Sequence, residues 1–159
     1  MSSKISSSAR KVQQALNEYG VSCQVVEMPQ TTRTADDAAR AVGCQVGQIV
    51  KSLVFQSKQS HQALLVATSG ANRVNEKKIA TLISEPISMA DADFVREKTG
   101  FAIGGVPPVG HTQQIRIFID EDLLQYDDIW AAAGTPKALF KLTPADLQKI
   151  TAGRVISVK

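Results

Sequence analysis

The sequence is poor in the residues that most metal and redox sites use: it has two cysteines, Cys23 and Cys44, and two histidines, His61 and His111. The cysteines are far apart and form no CxxC pair, which excludes a zinc ribbon and a redox dithiol. So few soft ligands argue against transition-metal catalysis, and no cofactor is expected. The cysteines read as small buried hydrophobes of a reducing compartment. No apolar run approaches the roughly 18 residues of a membrane span. Residues 1–11 contain serine and lysine but no apolar segment of a secretion signal, so a cytoplasmic protein without a membrane partner is expected. A large excess of one charge is also missing. With 18 basic residues against 15 acidic ones the net charge is +3, which permits an anionic partner without identifying one.

What is present fits one globular domain. The 159 residues are 43% hydrophobic and 21% charged, near globular averages, and a chain of this length buries about 68–70% of its unfolded surface. No repeat, low-complexity tract or linker divides it, so residues 1–159 are expected to form a single domain.

Periodicity then assigns the elements. Ala9, Val12, Leu16 and Tyr19 stand at helical spacing and stop at Gly20, and alternation over residues 21–26 predicts a strand ended by Pro29. Thr34 opens a small-residue helix ending at Gly43. Residues 49–55 and 62–68 predict a hairpin around a polar turn at 57–60. Asn75 and Asp91 each cap a further helix, the second ending before Gly100, with Pro86 between them. Alternating Ile115, Ile117 and Ile119 predict a strand, with Asp120 as the cap of the turn after it. Residues 130–133 and 138–142 predict two more strands; Thr143 and Pro144 start a last helix, and residues 155–158 a last strand. Interspersed helices and hairpins imply an α/β (mixed α+β) fold with a mixed, partly closed sheet surrounded by helices.

Two features have chemical character. In the strand 49–55 a period of two puts Lys51 on the face of Ile49, Leu53 and Phe55, the apolar side, unless Val50 and Val54 define the true core face and the lysine snorkels to solvent. A lysine at a cleft can clamp phosphate, polarise a carbonyl or form a Schiff base, and the pattern does not choose among these. The second feature is the segment 104–111, Gly-Gly-Val-Pro-Pro-Val-Gly-His. Its glycines permit unusual backbone angles and close approach of a ligand, and its prolines stiffen it, so it can aim N–H groups at an oxyanion or phosphate, or simply be a tight turn. It matches neither the P-loop nor the Gly-x-Gly-x-x-Gly spacing. His111 invites a general-base role, yet no serine or cysteine nucleophile with a triad partner stands near it, and a loop histidine is the favoured reading.

Taken in order, TADDAARAVG at 34–43, IVKSLVF at 49–55, ANRVNEKKI at 71–79, TGFAIGGVPPVG at 99–110, IFID at 117–120 and the region 134–147 resemble the YbaK/EbsC family of aminoacyl-tRNA deacylases. That family is related to the editing domain inserted in bacterial prolyl-tRNA synthetases. The resemblance covers nearly the whole chain. It implies a free-standing editing hydrolase whose pocket takes the aminoacylated 3′ end of tRNA, most often tRNA-Pro carrying a small wrong amino acid such as cysteine or alanine. It implies Lys51, Gly104, Gly105 and Pro108 as the catalytic set, and Thr34, Ser52, Thr99, Gly100, Gly110 and His111 as substrate-binding residues. It further implies that the substrate's own ribose hydroxyl, not a side-chain base, assists water, with prolyl-tRNA synthetase a candidate partner and DNA none. A catalytically silent module that binds a tRNA end or nucleotide through the same residues is the alternative, and a Schiff-base lyase built on Lys51 is a second.

Overall fold

The computed structural model describes residues 6–159. Residues 1–5, part of the stretch that lacks a secretion-signal pattern, lie outside the described residues.

Helix α1 (Ser7–Glu18) forms because Ser6 accepts the Ala9 N–H and Ala9, Val12 and Leu16 recur on one face, which is fully buried. The strand after it is shorter than its alternation suggests: only β1 (Val25–Glu27) pairs with a neighbour. Ahead of it the Gln13 side chain takes the place of a strand, donating to the Cys23 carbonyl (3.0 Å) and accepting from Val25 N–H (2.7 Å). Helix α2 (Ala35–Val42) starts on the Thr34 hydroxyl, which accepts from Asp37 N–H, and ends in a left-handed Gly43.

Strands β2 (Ile49–Ser57) and β3 (Ala63–Ser69) form the expected hairpin. Helix α3 (Glu76–Ile83) starts at Asn75 and α4 (Ala92–Thr99) at Asp91. Between them lies β4 (Ile87–Met89), a strand too short for its sequence pattern to reveal. Then come β5 (Arg116–Asp120), β6 (Ile129–Ala132), β7 (Ala138–Leu142), α5 (Pro144–Thr151) and β8 (Arg154–Ile156). The last strand begins one residue earlier and ends two residues sooner than its β-branched run suggests, because only residues 154–156 find partners on β5.

The strands form one mixed sheet in the order β1-β7-β6-β2-β3-β5-β8, with β4 paired to β2 off that path. Both faces are covered. On one, Val50, Val54, Leu65, Ala67 and Ile119 meet Val12 and Leu16 of α1, Val95 of α4 and Leu147 and Ile150 of α5 in the main core. On the other, two smaller cores sit side by side: Ile49 and Leu139 under Ala38 and Ala39 of α2, and Phe55, Leu64, Val66 and Phe118 under Ile79 of α3. No helix among the described residues is long and apolar enough to cross a membrane.

The pairing leaves a gap in the sheet. Strand β2 pairs with β6 in parallel only at Ile49 and Val50, and with β4 in antiparallel fashion only from Phe55 onward. Along residues 51–53 that edge of β2 has no strand beside it. The Ile49 carbonyl accepts from Gly70 N–H on the β3 side, and the Val54 carbonyl from Ala90 N–H on the opposite side. Alternation therefore turns the backbone N–H and C=O of Ser52 toward the open edge.

Candidate active site

A cavity of about 290 Å³ occupies this gap in the sheet, near the lower end of the range for small-ligand sites. Its wall includes residues 49–54 of β2, residues 32–35 and Ala38 at the start of α2, Met89 at the end of β4 and Ala90 after it, and Ile103, Gly104 and Val106. Because it wraps around a strand edge, it has two kinds of wall. Val50, Val54, Ala90, Val95 and Val106 make an apolar lobe on the main-core side. Toward α2, Lys51, Arg33 and Thr34 bring polar and cationic groups beside Ala38, Ile49 and Leu139.

Lys51 lies on the face of Ile49, Leu53 and Phe55, between the two small cores, and is half-buried. The larger core is on the Val50 and Val54 side, so both faces of β2 are apolar and the strand pattern alone had no single inward face to show. Opposite Lys51 in register is Thr68, whose hydroxyl donates to Asp120 (3.1 Å). Asp120 is buried and also accepts from Ser69 N–H, Asn72 Nδ2 and Asp122 N–H, so it is a cap and an anchor for the adjoining turn.

Neither Lys51 nor Arg33 has a side-chain hydrogen bond or ion pair among the described residues; the ion pairs Arg40–Asp37 and Lys159–Asp122 lie elsewhere. The wall contains two cations and no aspartate or glutamate. It also contains Ser52, whose hydroxyl is screened from solvent and has no hydrogen-bond partner among the described residues. A buried hydroxyl left in this state costs about 1–3 kcal/mol, which a ligand group could return. The wall holds no histidine and no cysteine either. Cys23 stands apart from it, its thiol pushed up to about 11 by burial and then by the Asp146 carboxylate, a poor nucleophile at neutral pH. Among the described residues, no group of three His, Cys, Asp or Glu side chains could hold a metal ion.

Of the residues singled out from the sequence, the structure brings Thr34, Lys51, Ser52 and Gly104 together in this wall. Gly104 has φ +98° and is the third residue of a turn closed by Gly105 N–H donating to the Ala102 carbonyl. That bond uses the Gly105 N–H. The Gly105 carbonyl accepts from Gly134 N–H (2.8 Å), and a Cβ on Gly105 would lie 2.7 Å from the Thr135 backbone. Gly105 and Pro108 are buried behind the wall, with Val106 and Val109 in the main core.

Thr99, Gly100, Gly110 and His111 lie outside the wall too. Thr99 is buried and exchanges hydrogen bonds with Val95 and Phe101, and Gly100 is the left-handed end of α4. Gly110 (φ +82°) packs against Ala15 of α1. His111 Nε2 donates to the Pro107 carbonyl (2.6 Å), and burial holds its imidazole below the ordinary value, a shift the Pro107 bond partly opposes. The residue sequence reasoning missed is Arg33. The one signal for it was its place directly before the Thr34 cap, with Gly104 far away in sequence to make room for it.

The family model of the aminoacyl-tRNA editing domain matches residues 29–150, a span that includes the whole pocket wall. A crystal structure of a candidate trans-editing enzyme for prolyl tRNA synthetase superposes with a TM-score of 0.93 at 50% identity, covering 98% of this chain and 99% of the other. The uncharacterized protein YwhH of Bacillus subtilis is 26% identical over 148 residues, 93% of this chain and 94% of its own. EbsC of Enterococcus faecalis, named as a candidate Cys-tRNA(Pro)/Cys-tRNA(Cys) deacylase, is 25% identical over 126 residues, 79% of this chain and 76% of its own.

Proposed function

The chain belongs to the aminoacyl-tRNA editing domain family, and from that premise we propose that it deacylates mischarged tRNA in trans, in the cytoplasm. The substrate of this reading is tRNA-Pro carrying a small wrong amino acid such as cysteine or alanine. The observation that carries it is the pocket at the open edge of β2, with two unpaired cations, a partnerless hydroxyl and no carboxylate. A wall of that charge suits the phosphate and developing oxyanion of an aminoacyl ester. The cavity is small, about 290 Å³ in all, which suits a short side chain. Action in trans is supported by the likeness, at 50% identity, to a candidate trans-editing enzyme for prolyl tRNA synthetase.

In the proposed reaction the ester carbonyl lies against Lys51 and the outward-facing Ser52 N–H. Water adds to the carbonyl carbon, and the negative charge that develops on oxygen is met by the Lys51 ammonium and that N–H. The tetrahedral species collapses with cleavage of the bond to the ribose oxygen. The proton lost by water ends on that oxygen, giving free amino acid and a tRNA with its hydroxyl restored. No imidazole, thiol or carboxylate lines the pocket to take the proton on the way. The neighbouring ribose hydroxyl of the substrate takes that part, and holding an already labile ester in place supplies much of the remaining acceleration. Selectivity by size alone is worth only about 10–200-fold per methylene, the margin that makes a second, hydrolytic pocket useful.

The test is a deacylation panel with Ala-, Cys-, Ser-, Thr- and 2-aminobutyryl-tRNA against correctly charged Pro-tRNA. The proposal expects release of at least one small amino acid and sparing of proline. Protection of every ester, with binding retained, would instead mark a binding module.

A further inference from the structure

We propose that Arg33 is the phosphate clamp of this pocket, gripping the backbone phosphate of the nucleotide whose ribose carries the amino acid; the identity of that nucleotide rests on the function proposed above. Although the Arg33 side chain is exposed, its backbone is fixed. Thr32 donates to the Pro136 carbonyl through both N–H (2.6 Å) and hydroxyl (3.1 Å), Thr31 accepts from Arg33 N–H (3.3 Å), and Thr34 caps α2.

The stem of the arginine lies on the one loop residue that leaves room for it. A Cβ on Gly104 would stand 3.1 Å from Arg33 Nε and 3.3 Å from Cγ, so glycine at 104 serves both its positive φ and the seat of the guanidinium. That guanidinium has no carboxylate partner among the described residues, and the wall it belongs to has none to offer. A planar fork of donors with its stem seated and its charge unpaired is matched to a phosphate, which it can meet through two parallel hydrogen bonds.

The two cations also differ in depth. Lys51 is half-buried at the strand edge, where an ester can be enclosed, whereas Arg33 stands exposed at the mouth, where an ionised phosphodiester keeps part of its hydration. One ligand that carries an ester and, one ribose away, a phosphate can meet both. Arg33 thus binds and Lys51 acts on the reacting carbonyl.

The experiment compares wild type, Arg33→Ala and Arg33→Lys on two esters of the same amino acid: the full aminoacyl-tRNA, and 2′(3′)-O-aminoacyl-adenosine, which has no phosphate. On tRNA, Arg33→Ala should raise KM about tenfold or more with kcat within about twofold, the scale of a lost hydrogen bond to a charged group. The slope of log KM against log salt should fall by about 0.7, one single-strand phosphate contact. Arg33→Lys should recover part of the loss. On the adenosine ester the three proteins should agree within about twofold. Unchanged KM on tRNA, an equal defect on the phosphate-free ester, or a fall in kcat alone would each overturn the clamp. Binding of the CCA trinucleotide, measured beside adenosine, separates this proposal from the one beneath it. Arg33-dependent binding of CCA without hydrolysis of any ester would overturn the deacylase reading and leave the clamp standing.

Discussion

Ser52→Ala should make the protein more stable and less active. The Ser52 side chain shares a face of β2 with Val50 and Val54 and stands opposite Ala67, all buried in the main core, and its hydroxyl has no partner. Folding therefore strips water from a hydroxyl and returns nothing, a penalty of about 1–3 kcal/mol. Alanine removes that penalty and loses only the dispersion contacts of one oxygen, a few tenths of a kcal/mol. The net gain should be about 1 kcal/mol, which in a domain of this size raises Tm by about 2–4 °C. Activity should move the other way if the substrate supplies the missing partner. Losing one hydrogen bond to a neutral group costs about 0.5–1.5 kcal/mol, or roughly 2- to 12-fold in kcat/KM. Differential scanning calorimetry and initial deacylation rates on the same preparation give both numbers. A Tm that falls by about 2 °C or more would show that the hydroxyl is paired in solution. A higher Tm with unchanged kcat/KM would show that it never meets the substrate.

Gly105→Ala should be the reverse case, because its Cβ would press to 2.7 Å on the rigid Thr135 backbone, while the adjoining Gly134 N–H is held on the Gly105 carbonyl. Overpacking of this kind costs about 1–3 kcal/mol, visible as a lower urea midpoint at unchanged m-value. His111→Gln should keep most of the deacylation activity, since the imidazole is outside the pocket wall, and a loss of about 100-fold would reinstate it as a general base. The same variant should flatten the pH dependence of stability. Burial keeps the folded-state value of His111 below 6.5, so its contribution is fully present above that pH and is lost as pH falls toward the folded value. Thermal melts between about pH 7.5 and 5 should therefore show a shallower decline for His111→Gln than for wild type.

The elements that the sequence announced clearly were those with both a period and a cap. Thr34, Asn75, Asp91 and Thr143 all accept a backbone N–H three residues on, and the helices they start bury Ala38 and Ala39, Ile79, Val95, and Leu147 and Ile150 respectively. What stayed hidden was set by partners distant in the chain. The 21–26 alternation extends past β1, but the Gln13 side chain meets the backbone at Cys23 and Val25. β4 is three residues long and exists because β2 has an edge to offer there. The inward face of β2 was ambiguous for a physical reason: helices cover both sides of the sheet, so Lys51 and Val50 each point toward an apolar layer.

The candidate site divides in the same way. Lys51 and Gly104 were legible because a charge in an apolar strand and paired glycines are locally unusual. Their meeting in one wall was not, since it depends on the gap between β6 and β4. The 104–111 segment read as a stiff loop or tight turn, and residues 105–109 prove buried; Val106 and Val109, both in the main core, were the overlooked signal. Arg33 had only its place before the Thr34 cap to show, and the tertiary approach of Gly104 is what marks it out.

Lys51 is the group on which the proposed hydrolysis depends most, and the most direct measurement is the initial rate of deacylation of the best mischarged tRNA by wild type, Lys51→Ala and Lys51→Arg, with a thermal melt of each. Wild type should release the amino acid. Lys51→Ala should lose about 100-fold or more, as when a principal oxyanion donor is removed, while staying folded, because the half-buried side chain has no partner among the described residues to leave stranded. Lys51→Arg should recover little, since a broad planar guanidinium does not replace a compact ammonium beside a strand edge. Near-wild-type activity in a folded Lys51→Ala protein would contradict the account and leave Lys51 a strand lysine that reaches for solvent.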